Sequence, residues 1–411
     1  MAAAISLSGD RPAWGAPPEA ALQTYGKVKE YLSQHTSVVE LTNKDGARVA
    51  ICPAWQGRVM TSTYSDPDGP SFGFVYREFI DAGKENLHFN NYGGEDRLWL
   101  SPEGGPFSLW FAQGEEQNLD HWFTPPAFNA EPFAVAPGAD ASKCRMTTRM
   151  KLQNTAGTKF DLAVARDVRL LGQADLALML GEKAARVLQE QGVKTVAYET
   201  VNTITNQGPP MTKQNGLVSM WILSMLNAGP KTAIVVPYRD GGNAELGPVV
   251  RSDYFGAVPP DRLKITPEAI LLAADAQYRS KIGVSPKRAK NVIAAVDFQA
   301  NVLTLGRFSL PEDPTKVDYM NNLWGANQTD PYSGDAVNAY NDGSPAPGKK
   351  GLGPFCEIES LSPAMPLATN QSLTHRHCTI HIQASPAILA RIAQQVLGVD
   401  LEKVRQEMAL Q

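Results

Sequence analysis

The order of apolar and polar positions opens as a helix and then changes to a β pattern. Over residues 18–34, PEAALQTYGKVKEYLSQ, the apolar Leu22, Tyr25, Val28 and Leu32 recur at intervals of three and four, the spacing of one helix face. SVVELTNKDGARVAICPAW, residues 37–55, then gives two β-rich runs around Asn43-Lys44-Asp45-Gly46, where Asp-Gly predicts a hairpin. From there to residue 383 most segments read as short strands between Gly, Pro, Asn and Asp clusters, so the chain is expected to be largely antiparallel sheet. GLVSMWILSML, residues 216–226, is apolar on both faces and reads as core. Two helical interruptions are predicted, one over 180–192 and a terminal pair over 385–409. In that pair Ser385 and Pro386 suit N-cap and N1, and Gly398 suits the break. No repeat, heptad array or shift in composition divides the chain. The expected organisation is a helical lead-in at 1–36, a single β domain at 37–383, and C-terminal helices at 384–411 packed on the same domain.

Composition adds limits. A chain of 411 residues, 43% hydrophobic and 19% charged, can bury a large core. The formal charge of -4 offers no electrostatic footprint for nucleic acid or an anionic membrane, and the one short basic run, SPKRAK at 285–290, reads as a solvated loop. No stretch approaches the ~20 apolar residues of a membrane span. The opening MAAAISLSGDRPAW has no basic n-region and no sustained apolar run, so no secretory signal is expected in it. That fits a cytoplasmic protein, or a periplasmic or secreted one whose signal has been removed. Cys52, Cys144, Cys356 and Cys378 lack C-x-x-C spacing and read as reduced, buried thiols.

Familiar catalytic signatures are absent. GSPAPGKK, Gly343 to Lys350, has the spacing of a phosphate loop. Lys350, however, stands where a Ser or Thr should meet magnesium, and Pro345 and Pro347 stiffen the backbone. There is no G-x-S-x-G elbow, no H-E-x-x-H and no glycine-rich dinucleotide fingerprint.

Four constellations carry candidate chemistry. In NYGGEDRLWLSPEGG, a strand over 95–100 would set Glu95, Arg97 and Trp99 on one face, either as a sugar site with Trp99 as stacking floor or as a Glu95–Arg97 or Arg97–Glu103 ion pair. In LGPFCEIESLSPAMPLA, residues 352–368, Glu357 and Glu359 share a strand face, either as adjacent carboxylates that push one pKa up toward that of a general base or acid, or as the solvated polar face of an edge strand. In THRHCTIHI, residues 374–382, His375, His377 and His381 fall on one face. The H-x-H pair of His375 and His377 with Glu357 or Glu359 could form a His-His-carboxylate metal set, although exposed polar histidines near a domain edge are the commoner outcome. Asn338, Tyr340 and Asp342 alternate before a turn and suit either hydroxyl recognition or turn formation. No metal and no cofactor are expected.

These segments together resemble the galactose-mutarotase-like superfamily, a large β-supersandwich fold that binds carbohydrate. PAWQGRVMTSTY at 53–64 resembles its early strand, NTITNQG at 202–208 its central segment, and GPFCEIESLSP with SLTHRHCTIHI its closing strands. NYGGEDRLWLSPEGG resembles the signature of an uncharacterised bacterial branch. The resemblance implies a mainly β supersandwich with an N-terminal helix and C-terminal helices, and a sugar ligand. It places Glu359 as base at an anomeric hydroxyl, with Glu357 as its neighbour. It also implies a central acid histidine, but after NTITNQG this chain has none, so His88, His121, His375 or His377 would have to donate the proton from elsewhere. The expected ligand contacts are Glu95, Arg97, Trp99, Glu103, His88, Asn338, Tyr340 and Asp342, and the expected catalytic groups are Glu359, Glu357, His375 and His377. Two functions follow as expectations. One is acid/base chemistry on a sugar, either epimerase-like or glycoside cleavage. The other is sugar binding without catalysis.

Overall fold

Turn chemistry forms the first hairpin. Asn43 Oδ1 accepts the main-chain N–H groups of Asp45 and Ala47, both at 3.0 Å, and Gly46 takes φ +92°, so Val39–Thr42 returns antiparallel as Arg48–Cys52. Arg58–Thr63 completes a three-stranded sheet. The computed structural model describes residues 23–138, 140–345 and 348–410. The expected helix over 18–34 is Tyr25–His35, with Tyr25, Val28 and Leu32 buried, and positions 18–22 lie outside the described residues.

Two larger antiparallel sheets make up most of the protein, which is mainly β as expected. One has ten strands, in the order Leu263–Ile265, Ala269–Ala273, Thr232–Pro237, Val292–Asp297, Val302–Phe308, Ser372–Gln383, Lys194–Asn206, Lys159–Leu170, Lys143–Gln153 and Ala134–Val135. The other has five, in the order Ser280–Val284, Val337–Asn341, Phe355–Leu361, Ser219–Asn227 and Arg97–Ser101. They pack as a sandwich around one apolar cluster that takes Ile358, Ile222 and Leu98 from the smaller sheet and Ile293, Val164 and Ile204 from the larger. The 216–226 run lies at the middle of this arrangement, and Met220, Trp221, Ile222 and Met225 are buried.

Helices cover the outer face of the ten-stranded sheet. Its Val235, Leu271, Leu305 and Ile380 pack against Leu389 and Ile392 of Pro386–Val396 and Val404 of Leu401–Glu407. Gly398, at φ +76°, breaks this pair as expected, and Asp400 caps the second helix by accepting from Glu402 N at 2.9 Å. The helix expected over 180–192 differs. Two helices occur, Gln173–Leu180 and Glu182–Val187, because Gly181 at φ +84° ends the first. Among the described residues no helix is long and apolar enough to cross a membrane, and all four cysteines are buried and unpaired.

Candidate functional site

The outer face of the five-stranded sheet holds the chemistry. Along Phe355–Leu361, Cys356, Ile358 and Ser360 point into the sandwich, so Glu357 and Glu359 point out of it. Register then builds two rows across the strands. Asn338, Glu359, Leu223 and Arg97 form one, and Lys281, Tyr340, Glu357 and Met225 form the other. Loops cover the face, leaving Glu359 fully buried and Glu357 and Lys281 each 5% exposed.

Each carboxylate has its own partners. Trp221 Nε1 donates to Glu359 Oε2 at 2.7 Å, and Lys281 Nζ stands 3.6 Å from the same oxygen, 4.3 Å from the Trp221 ring centre and 5.4 Å from that of Tyr254. Glu359 Oε1 is buried without a partner. Burial pushes the Glu359 carboxyl up to about 7. Lys281 opposes that shift and Glu357 adds to it. Glu357 pairs with Arg97 Nη2, and the Arg97 guanidinium lies 4.3 Å from the Trp99 ring centre and 5.0 Å from that of Phe89. Beside them the Tyr254 hydroxyl donates to Asp335, Asn338 Nδ2 donates to Ile282 O at 3.1 Å, and Asn338 Oδ1 is left unpartnered. Tyr340 donates to Asp342 Oδ1 at 2.6 Å, and Gly353 N donates to Asp342 Oδ2 at 2.8 Å. Asp342 is therefore fixed by its own turn, although burial pushes its carboxyl up.

The 91–105 stretch folds differently from the sequence expectation. A Cβ on Gly93 would stand 2.1 Å from Phe74 O, and φ is +88° at Gly93 and +113° at Gly94. The strand begins only at Arg97, so alternation does not run back to residue 95. Glu95 turns into the sandwich, where its Oε2 lies 3.3 Å from His381 Nε2, and Asp96 pairs with Arg166 and accepts from Thr200 at 2.9 Å. Glu95 is therefore not beside Arg97, and neither expected ion pair forms. Arg97 pairs with Glu357, and Glu103 Oε1 accepts from Trp122 Nε1 at 2.9 Å. Trp99 is no stacking floor. It is 4% exposed, its N–H is donated to Phe128 O at 3.1 Å, and Phe89, Trp110, Trp221 and Arg97 surround it. His88 is half-buried on a loop, with Nδ1 2.6 Å from Trp122 O and its ring 4.2 Å from Phe123. His121 is on an exposed turn beside Glu115.

The histidine strand supplies the other correction. His375, His377 and His381 share a face, as their spacing predicts, but it is the inner face of the ten-stranded sheet. Ser360 Oγ lies 2.9 Å from both His375 Nε2 and His377 Nδ1, and Ser309 and Ser224 reach the remaining nitrogens of the pair. Burial, with His377 adding to it, pushes His375 down to about 3. Burial also lowers His377. Ser360 is on the side of its strand opposite Glu359, so His375 and His377 cannot share a substrate with Glu357 and Glu359, and the His-His-carboxylate set does not form. Among the described residues no group of three or more His, Cys, Asp or Glu is placed to hold a metal ion.

Sequence reasoning missed Lys281, Trp221, Tyr254, Asp335 and Arg58. A lone Lys within the strand-like YRSKIGVS, residues 278–285, was the available signal for Lys281. Trp221 read as core because only cross-strand register brings its N–H to Glu359.

The model of a family described as of unknown function, DUF6786, matches residues 23–408. No curated protein matches the chain. Among solved structures, a candidate aldose 1-epimerase from Escherichia coli K12 is similar with a TM-score of 0.48 at 10% identity, over 85% of this chain and 99% of that one. The Slr1438 protein of Synechocystis sp. PCC 6803 has a TM-score of 0.46 at 12% identity, over 85% and 96%. A galactose mutarotase-like protein from Lactobacillus casei ATCC 334 has a TM-score of 0.43 at 10% identity, over 84% and 100%.

Proposed function

The chain belongs to this family of unknown function, DUF6786, and from that premise we propose that it binds a sugar on the outer face of the five-stranded sheet and performs acid/base chemistry there through Glu359. One observation carries the reading. Glu359 is a fully buried carboxyl with one oxygen held by Trp221 and Lys281, the other without a partner, and a pKa pushed up to about 7. A group so placed exchanges a proton near neutral pH and has an acceptor atom free for a ligand hydroxyl. Support for a sugar comes from the resemblance of the segments at 53–64, 202–208, 353–363 and 372–382 to carbohydrate-binding supersandwich proteins. It also comes from the donors and acceptors on this face, namely Arg97, Asn338, Lys281, Glu357 and Tyr254. The base takes the proton of an anomeric hydroxyl, Trp221 and Lys281 hold its carboxylate in place, and burial, with Glu357 adding to it, keeps its affinity for that proton high.

A second reading, binding without turnover, is favoured by the position of the histidines, since His375 and His377 are on the far side of the strand from Glu359. A panel of mono- and oligosaccharides followed by NMR separates the two. Accelerated anomer exchange or new reducing ends, lost by a factor of ~100 or more in Glu359→Gln with ligand binding retained, supports catalysis. Ligand-dependent stabilisation without either product supports binding alone. If no sugar either reacts or stabilises the protein, both readings fall.

A further inference from the structure

We propose that the sugar held on this face carries an oxyanion, a carboxylate or a phosphate, bound between Arg58 and Arg97. The proposal rests on the reading of the face as a sugar site and names the substrate class.

The two guanidinium groups are brought together by backbone pairing. Val59 and Asp96 form an isolated antiparallel bridge, Val59 N to Asp96 O at 3.0 Å and Asp96 N to Val59 O at 3.2 Å, so Arg58 and Arg97 are the next opposed pair and leave the backbone on the same side. Arg58 is fully buried and, among the described residues, makes no ion pair. Its Nη1 and Nη2 donate to Gly93 O at 2.9 Å and Asn90 O at 3.4 Å, and its Nε has no partner. Arg97, equally buried, gives Nη2 to Glu357 and keeps Nε and Nη1 unpartnered.

Two other buried arginines show what a purely structural role requires. Arg166 has a carboxylate, Asp96, and further acceptors in Gly57 O and Asn202. Arg288 lacks a carboxylate, but its three nitrogens all donate, to Gly247 O, Arg239 O and Asn243 Oδ1. Arg58 and Arg97 together keep three unpartnered nitrogens and share one carboxylate. A buried donor left without an acceptor is costly, and two buried like charges side by side are costlier. Burial and then the neighbouring Arg97 push Arg58 down to about 9. Aromatic rings cover the flat faces, Tyr92 at 5.4 Å from Arg58 and Phe89 and Trp99 near Arg97, which leaves Arg58 Nε and Arg97 Nε and Nη1 as the N–H groups without an acceptor. A planar fork of N–H groups matches carboxylate and phosphate oxygens, whereas a neutral hydroxyl supplies no compensating charge.

Calorimetric titration of the full-length protein with glucose, galactose, glucuronate, galacturonate and glucose 6-phosphate tests this. At least one charged sugar should bind ~10-fold or more tightly than its neutral parent, and which one does so distinguishes the carboxylate from the phosphate. Arg58→Lys and Arg97→Lys should each weaken the charged ligand by a similar factor. The wild-type comparison stands even if a variant fails to fold. Neutral sugars binding as tightly as charged ones would overturn the oxyanion while leaving the sugar reading intact. Failure of every sugar in both classes to bind would overturn the sugar reading itself.

Discussion

Replacing Glu359 by Gln tests whether burial has made its carboxyl a proton carrier, and stability reports this without knowledge of the substrate. The folded protein holds this proton up to about 7, whereas an unfolded Glu releases it near 4.5. Between those values the native state binds the extra proton, so unfolding free energy falls as pH rises. The contribution is fully present below the unfolded pKa and is lost as pH climbs through the folded one. A shift of that size corresponds to about 3.4 kcal/mol in the limit, of which about 2.5 kcal/mol falls between about pH 5 and about pH 8. Gln resembles the protonated acid in shape and keeps an oxygen for the Trp221 N–H, so the variant should fold. Asp335 and Asp342 are also pushed up by burial, and their contribution cancels when variant and wild type are compared at each pH. Urea denaturation of both proteins across that range is the assay. The variant should gain on the wild type by about 2 kcal/mol or more from the acid to the alkaline end. A difference that does not change with pH would refute the shifted carboxyl and remove the strongest support for Glu359 as base.

Other perturbations probe the surroundings of the site. Trp99→Ala should cost about 3–5 kcal/mol in chemical denaturation, as loss of a core aromatic does, and a folded, ligand-weakened variant of near-normal stability would restore it to a stacking role. His375→Gln should make the protein less acid-sensitive. His375 titrates near 6.5 when unfolded and is pushed down to about 3 in the fold, so its contribution is intact above the unfolded value and lost as pH falls. Equal losses in variant and wild type between about pH 7 and about pH 5, where about 2 kcal/mol is at stake, would contradict this.

The sequence reveals what local chemistry decides. The Asn43–Gly46 hairpin, the terminal helix pair with its Gly398 break, and the shared face of Glu357 and Glu359 follow from turn residues and a period of two. Register and layer were not legible. Arg97 finds its counter-ion 260 residues away, across strands whose order the sequence does not state. Glu95 misled because its strand begins two residues later than the charge pattern suggests, after the Gly93-Gly94 turn. Periodicity grouped the three histidines correctly but could not say which side of their strand would be interior. Lys281 and Trp221 escaped notice because each gains meaning only beside Glu359.

The contrast across Phe355–Leu361 argues for treating one side as scaffold and the other as site. Ser360 and Glu359 are adjacent residues, both fully buried, and burial disfavours charge around each. Around Ser360 the demand is met within the protein, whereas farther along the inner face Glu95 Oε1 and Oε2 and His381 Nε2 make no hydrogen bond. His375 and His377 are kept neutral, and all four of their ring nitrogens reach the serines Ser360, Ser309 or Ser224. On the outer side it is not met, since Glu359 Oε1, Asn338 Oδ1, Arg97 Nε and Nη1, and Arg58 Nε all lack partners. A protein interior rarely leaves so many adjacent polar atoms unsatisfied without a use for them. Acceptors and donors are both left over, at opposite ends of the same small face, as a ligand with hydroxyl hydrogens at one end and oxyanion lone pairs at the other would require. Protonation behaviour then separates the two sides. Acid destabilises the inner histidine layer and alkali the outer carboxyl, so ligand binding should couple to the alkaline transition of Glu359 and leave the acid transition of His375 in place.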